Sequence, residues 1–223
     1  QRQMCIRDSS IPDIIVSDIM MPVMNGITMC KILKEDVRTS HIPIILLTAK
    51  DSLQDKEEGY QVGADSYLTK PFSATLLHSR INNLLESRKR LTERFNTSTP
   101  HHNMDEKRAL LAESLNKLDN EFIEKINQLI EARLSSEKID IGYLADNMRM
   151  SKATLYRKMK ALTGLSTNEY VRKIKMQHAE RLLLEGRYNI SEVAFRVGIN
   201  SVVYFRQCFK EEFGVLPSEY LKQ

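Results

Sequence analysis

The apolar residues of the N-terminal half occur in short runs. Residues 13–17 (DIIVS) and 43–48 (PIILLT) are rich in Ile, Leu and Val, and residues 66–68 form a third, weaker run. Runs without polar alternation are typical of strands that are buried on both faces of a parallel sheet. Helical patterns occur at residues 27–34, 51–62 and 73–91. This alternation of strands and helices predicts an α/β fold with a parallel sheet.

The C-terminal half shows no strand pattern. Leu and Ile residues recur at helical spacing within residues 105–134, and shorter helical patterns follow them. The polar stretch 95–104, which contains Pro100, interrupts both patterns and is predicted to be a linker. The all-α half also repeats internally, because residues 144–148 match residues 193–197 and later residues match at an offset of 50. It therefore contains two copies of one short helical unit.

Each copy has the signals of two helices joined by a tight turn. The second helix of the first copy is predicted to begin after Ser151 and to end at Gly164. In the second copy Ser201 and Gly214 have the same roles. The first helices are predicted to begin after Asp140 and Asn189. Helix, short turn and helix form a helix-turn-helix unit.

The second helix of each unit is predicted to have a buried and an exposed side. Leu155, Met159 and Leu162 should be buried in the first unit, as should four aromatic residues in the second (Tyr204, Phe205, Phe209 and Phe213). The exposed sides should carry Lys152, Ala153, Tyr156, Arg157 and Lys160 in the first unit and Val202, Val203, Arg206, Gln207 and Lys210 in the second. An exposed helix of this kind can enter the major groove of DNA, where Lys and Arg contact phosphates. A helix over residues 167–185 would separate the units by ~28 Å, close to one turn of B-DNA at ~34 Å.

Charge is distributed unevenly along the chain. The net charge is only +4, but residues 149–176 hold eight Lys and Arg residues and a single acidic residue, Glu169. We interpret this basic stretch as a candidate phosphate-binding surface. No apolar run is long enough to span a membrane, no secretory signal is recognisable, and the three Cys lack metal-site spacing. A cytoplasmic protein without a membrane segment is expected.

Three polar residues each follow a predicted strand: Asp18, Thr48 and Lys70. Ligand sites in open parallel sheets collect at the carboxyl ends of the strands. A carboxylate, a hydroxyl and an ammonium that meet there could receive a phosphoryl group. Each residue alone also has a simpler explanation, since an Asp after a strand commonly caps a turn and a surface Lys is commonly solvated.

The motifs around these residues resemble a response-regulator receiver domain, which has a flavodoxin-like fold. They are PDIIVSDIMMPVMNG at 12–26, PIILLTAK at 43–50 and GADSYLTKPF at 63–72. The resemblance implies that Asp18 is the phosphoacceptor and that Thr48 and Lys70 contact the phosphoryl group. It further implies that Tyr67 follows Thr48 inward on activation and that the Lys70–Pro71 bond is cis. Asp18 and the carbonyl of Met20 would be ligands of Mg²⁺.

The chain also departs from the receiver pattern. A receiver has five strands and a pair of acidic residues after the first, whereas Asp18 comes too early in this chain for two preceding strands. Residues 11–94 are therefore expected to be a truncated receiver with strands 3–5, and residues 1–10 an unassigned junction. Without the acidic pair, Mg²⁺ binding is expected to be weak or absent and phosphorylation poor.

The C-terminal motifs resemble an AraC/XylS-type DNA-binding domain. They are LYRKMKALTG at 155–164, NISEVAFRVGI at 189–199 and YFRQCFKEEFGVLPSEY at 204–220. The resemblance covers residues 119–223, after a linker and connecting helix at 95–118. It implies base contacts from Ala153, Tyr156 and Arg157 in the first unit and from Val202, Val203 and Gln207 in the second. The two valines can contact thymine methyl groups but cannot form hydrogen bonds with bases.

Together these features predict a sequence-specific transcription regulator of a two-component phosphorelay, without enzymatic activity of its own. Its expected partners are double-stranded DNA, a histidine kinase or kinase domain, and a second copy of the chain. The domain order also resembles the tail of hybrid sensor kinases. Two alternatives stay open: a receiver that hydrolyses its own phosphate, which the missing acidic pair argues against, and a protein-interaction module with an inert receiver.

Overall fold

A computed structural model describes residues 11–49, 61–96, 116–135 and 139–221. The N-terminal part contains a three-stranded parallel sheet in the order β1-β2-β3. Its elements are β1 (Ile15–Asp18), α1 (Gly26–Glu35), β2 (Ile44–Thr48), β3 (Ser66–Thr69) and α2 (Ala74–Asn96). The predicted parallel α/β arrangement is confirmed. The helix predicted at residues 51–62 lies almost wholly outside the described residues.

Strand β2 is the buried centre of this sheet. Ile44, Ile45 and Leu46 are fully buried, as expected for a strand covered on both faces. Cys30 of α1 and Tyr67 of β3 pack into the same core. Strand β1 lies at the edge of the described sheet. Helix α2 continues to Asn96, five residues beyond its predicted end and into the stretch predicted as a linker.

The C-terminal part is entirely helical within the described residues. Its helices are α3 (Lys117–Glu131), α4 (Ile141–Asn147), α5 (Lys152–Thr163), α6 (Thr167–Leu184), α7 (Ile190–Arg196), α8 (Val202–Phe213) and α9 (Pro217–Tyr220). Helices α4 and α5 form the first helix-turn-helix unit, and α7 and α8 form the second. The predicted repeat therefore corresponds to two similar helix pairs.

The helix ends form where the sequence signals place them. The hydroxyl of Ser151 accepts the N–H of Thr154, and that of Ser201 accepts the N–H of Tyr204. Gly164 and Gly214 end α5 and α8 with φ values of 73° and 80°, a left-handed conformation that glycine adopts without steric cost. Asp140 and Asn189 likewise cap α4 and α7.

Helix α6 connects two separate cores. Tyr170 and Ile174 belong to the core of the first unit, whereas Met176, Ala179 and Leu183 belong to the core of the second. The 18 residues of α6 rise by ~27 Å. The predicted rigid connection between the two units is thus an unbroken helix with apolar contacts to both.

The N-terminal part contacts the first helix-turn-helix unit. Val37, in the loop between α1 and β2, packs against the core of that unit. Helix α2 packs against α5. The side chain of Lys158 in α5 is fully buried and forms hydrogen bonds to both parts of the chain.

Candidate functional site

Asp18, Thr48 and Lys70 meet at one edge of the sheet, as predicted. Asp18 and Thr48 are the last residues of β1 and β2, and Lys70 directly follows β3. The backbone N–H of Lys70 donates to the carbonyl of Thr48 over 2.7 Å. Parallel pairing of the strands thus brings their carboxyl ends, and the three polar residues, together.

The Asp18 carboxylate is ion-paired at this edge. The ammonium of Lys70 donates to Asp18 Oδ2, and the backbone N–H of Met20 donates to Oδ1 over 3.3 Å. The hydrogen bond from Lys70 is the main cause that lowers the pKa of Asp18. The carboxylate is therefore ionised near neutral pH, as a nucleophile must be. Its side chain is 32% exposed, so a phosphodonor can reach it.

Gly26 allows α1 to begin close to this edge. A Cβ at this position would lie 2.3 Å from the carbonyl oxygen of Asp18, which is too close for any other residue without a backbone shift. The N–H of Gly26 donates to the carbonyl of Ile19 over 2.9 Å. Asn25 caps α1 by accepting the N–H of Thr28. These contacts fix the loop that follows Asp18.

One other predicted feature of the receiver, a cis bond before Pro71, is present. The Lys70–Pro71 peptide bond is cis. Tyr67 and Thr48 are both buried, on the adjacent strands β3 and β2. Their burial is consistent with the expectation that they change position together, which the resemblance implies.

The described residues do not fit a firm Mg²⁺ site. In the part of the chain that the structure describes, no group of three or more His, Cys, Asp or Glu side chains could hold a metal. The Lys70 ammonium already neutralises Asp18. One carboxylate and the Met20 carbonyl are a poor ligand set for a strongly hydrated cation.

The exposed faces of α5 and α8, which we call the reading helices, carry most of the residues predicted to contact DNA. In α5 the exposed residues are Lys152, Ala153, Tyr156 and Lys160, with Arg157 half-buried; in α8 they are Val203, Arg206, Gln207 and Lys210. The predicted inner residues Leu155, Met159, Phe205 and Phe209 are fully buried. Each unit thus presents a polar helix face to solvent.

Two predictions for α8 were wrong. Val202 is half-buried and packs against the second core, although it was expected on the exposed face. It lies on the same helical stripe as Phe205 and Phe209, three and seven residues later. Tyr204 was expected in the core but is 49% exposed, because it lies on the same side of the helix as Gln207.

The basic surface is smaller than the sequence indicates. Three of the eight basic residues in 149–176 are buried: Lys158, Lys173 and Lys175. Lys173 forms an ion pair with Glu212 at 2.8 Å, and Lys175 donates to the carbonyl of Gly198 at 3.3 Å. These three ammonium groups are directed to protein acceptors and are not available to phosphates.

In comparisons with known proteins, each half of the chain matches a domain family. Residues 3–82 match the response regulator receiver domain family, and residues 144–223 match a helix-turn-helix domain family. Histidine kinase P4 of Formosa agariphila is 35% identical over 215 residues, which are 96% of this chain and 15% of that protein. Response regulator PleD of Caulobacter vibrioides is 46% identical over 81 residues, which are 36% of this chain and 17% of that protein.

The C-terminal domain of AraT, a response regulator from Geobacillus stearothermophilus, is a similar solved structure. It is 31% identical with a TM-score of 0.42, and the match covers 45% of this chain and 84% of that one. The chain combines a response-regulator receiver domain with an AraC-type helix-turn-helix domain. This is the domain order of a DNA-binding two-component response regulator. The chain spans only 15% and 17% of the two curated relatives named above.

Within the described ranges, no helix is both long enough and apolar enough to cross a membrane.

Proposed function

We propose that this chain is the DNA-binding output of a two-component phosphorelay, controlled by phosphorylation of Asp18. The observation that carries this proposal is the pair of reading helices with exposed polar faces, joined by α6 and attached to a receiver whose Asp18 is ionised. Neither a receiver nor a helix-turn-helix unit alone would combine both properties. Because its target is DNA, the chain would act in the cytoplasm.

In the proposed phosphotransfer, a carboxylate oxygen of Asp18 attacks the phosphorus of a phosphohistidine on a kinase. The new O–P bond forms as the P–N bond breaks, and the histidine leaves. Lys70 lies against Asp18, where its positive charge balances the added negative charge. By resemblance, the Thr48 hydroxyl then contacts the phosphoryl group and Tyr67 follows it. Asp18 is the acceptor, and Lys70 and Thr48 stabilise the phosphoryl group that it receives.

In the proposed DNA complex, lysines and arginines on the outer faces contact phosphates and their neighbours contact bases. The phosphate contacts are Lys152, Lys160, Arg206 and Lys210, and the base contacts are Ala153, Tyr156, Arg157, Val203 and Gln207. Val202 is half-buried and contributes less than the resemblance implies. A second copy of the chain bound to an adjacent site would extend the recognised sequence.

The parent protein is proposed to be a hybrid kinase that carries its own output domain. The match to histidine kinase P4 supports this origin, because it covers both domains of the chain and only 15% of that protein. A free-standing regulator that pairs with a separate kinase is the alternative.

Substitution of Arg157 is expected to relax sequence specificity, whereas substitution of Lys160 should weaken binding to all sequences alike. A base contact discriminates by ~1–3 kcal/mol, but a phosphate contact carries no sequence information. Selection from pooled random duplexes, followed by affinity measurements for Arg157→Ala and Lys160→Ala, would test both. Equal losses for every sequence with Arg157→Ala would contradict its role in base reading. Failure of the native chain to select any motif would contradict the proposed function.

Phosphorylation of this chain by a small phosphodonor and Mg²⁺ is expected to be slow and confined to Asp18. The single carboxylate of the described site holds Mg²⁺ weakly, so positioning of the donor is poor. Mass spectrometry after incubation with acetyl phosphate measures the labelled fraction, with Asp18→Asn as the control. Rapid stoichiometric labelling would contradict this expectation and show that the site binds Mg²⁺ more tightly than its described residues indicate. Equal labelling of Asp18→Asn would overturn the assignment of the acceptor.

A further inference from the structure

The two helix-turn-helix units differ at one buried position. With the offset of 50 residues that aligns Gly164 with Gly214, Lys158 corresponds to Cys208. Cys208 is 2% exposed and belongs to the second core, and Lys158 is 0% exposed in the first unit. In the second unit, the small side chain of Cys208 is therefore sufficient to fill this buried position between the helices. The long charged side chain of Lys158 needs another explanation.

The Lys158 ammonium is the centre of a contact between the two domains. It donates to Asp119 Oδ1 at 2.5 Å, to the carbonyl of Val37 at 2.6 Å and to the Ser40 hydroxyl at 2.9 Å. An ammonium has three donors, so all of them are used. Two of the three acceptors belong to the receiver. Lys158 thus reaches through its own unit to the loop that connects α1 and β2.

The partners of this ammonium are themselves connected. The Ser40 hydroxyl donates to Asp119 Oδ1 at 2.7 Å, and the side-chain amide of Asn116 donates to Asp119 Oδ2 at 2.8 Å. The same amide donates to the carbonyl of Ser40 at 3.2 Å. Helix α3, helix α5 and the receiver loop therefore share one buried hydrogen-bond network.

The buried ion pair between Lys158 and Asp119 makes this network depend on one arrangement of the two domains. Burial lowers the pKa of Lys158, while the charge and hydrogen bond of Asp119 oppose that change. A buried ion pair recovers its desolvation cost only when its geometry is good and its remaining donors are satisfied. Here the receiver loop supplies the remaining acceptors. The contact consequently selects one arrangement of the domains.

We propose that residues 36–42 of the receiver are an intramolecular docking surface for the first reading helix, with Lys158 as its anchor. The surface lies at the amino end of β2, opposite the edge that holds Asp18 and Thr48. The outer face of α5 stays exposed while its inner face is docked, so the receiver and this helix form one body without blocking DNA. Cys208 cannot make the equivalent contact, because its short side chain is buried in the core of the second unit.

Hydrogen exchange of the full chain tests this docking. In Lys158→Met, which keeps the length of the side chain and removes its donors, amides of residues 36–42 are expected to exchange about tenfold faster. Amides of α8 should be unchanged. Lys160→Met, two residues away on the exposed face, is the matched control and should leave the loop as protected as in the native chain.

A second variant separates docking from folding of α5. Ser40→Ala removes one acceptor in the receiver and leaves the Lys158–Asp119 pair in place, and it should also accelerate exchange of the loop. Unchanged loop protection in Lys158→Met with α5 still protected would overturn the proposal. If Lys158→Met loses protection of α5 itself, Ser40→Ala decides the matter, and unchanged loop protection in that variant would overturn the proposal equally.

Discussion

Raising the monovalent salt concentration from 50 to 200 mM should weaken DNA binding roughly 500-fold. This expectation rests on five exposed basic residues: the four proposed phosphate contacts Lys152, Lys160, Arg206 and Lys210, and Arg149, which is exposed just before α5 and adds a fifth contact. Each neutralised phosphate contributes about −0.9 to the slope of log affinity against log salt. If the three buried lysines also bound phosphate, the same change would weaken binding by roughly 2 × 10⁴-fold. The measured slope therefore distinguishes the surface charge from the charge counted along the sequence.

Two single variants sharpen this measurement. Lys160→Met should lower the magnitude of the salt slope by about one, since it removes one phosphate contact. Lys175→Met is the matched control, because Lys175 is 5% exposed and donates to the carbonyl of Gly198. Fluorescence anisotropy on the selected duplex at several salt concentrations gives both slopes. A slope that falls equally in the two variants would mean that Lys175 reaches DNA and that the surface is larger than described.

The architecture could be predicted because its signals are local. Short apolar runs identify strands that are covered on both faces, and Ser and Gly residues mark where α5 and α8 begin and end. The meeting of Asp18 and Lys70 could also be predicted, since it follows from parallel pairing of the strands and needs no knowledge of side-chain packing. The strands and helix ends follow from residues that are close together in the sequence, and the meeting of Asp18 and Lys70 follows from the rule that parallel strands end at the same edge of a sheet.

The wrong predictions concern residues whose side of the helix was inferred from their charge or polarity and not from their position in the helical repeat. Lys158 lies three residues after Leu155 and four before Leu162, so its helical position is on the inner face. The charge count over residues 149–176 therefore includes a lysine whose side chain is buried. Val202 and Tyr204 were misplaced for the same reason at the beginning of α8.

The docking contact itself could not be predicted from local patterns. Lys158 and Ser40 are 118 residues apart in the sequence, and neither lies in a motif that specifies the other. Only the comparison of Lys158 with Cys208 in the second unit gives a sequence signal. A buried position that carries a charge in one repeat and an apolar residue in the other indicates a contact that is present in one repeat alone.

Replacing Phe209 with alanine should destabilise the second helix-turn-helix unit by ~3–5 kcal/mol. Phe209 is fully buried, and its ring centroid lies 4.5 Å from that of Phe213, 5.6 Å from that of Tyr220 and 5.9 Å from that of Phe205. Removal of the ring loses apolar burial and leaves a cavity that helices on all sides cannot close. Because Phe209 fixes α8 from within, the variant should also lose the DNA contacts of that helix.

Phe195 provides the matched control within the same unit. It has the same side chain but is 71% exposed, so Phe195→Ala should change the free energy of unfolding by no more than about 0.5 kcal/mol. Urea unfolding followed by circular dichroism compares the two variants with the native chain. Equal destabilisation by both would mean that Phe195 is covered in solution and that the α7 surface has a partner. A small effect of Phe209→Ala would mean that the aromatic cluster is not the core on which α8 depends.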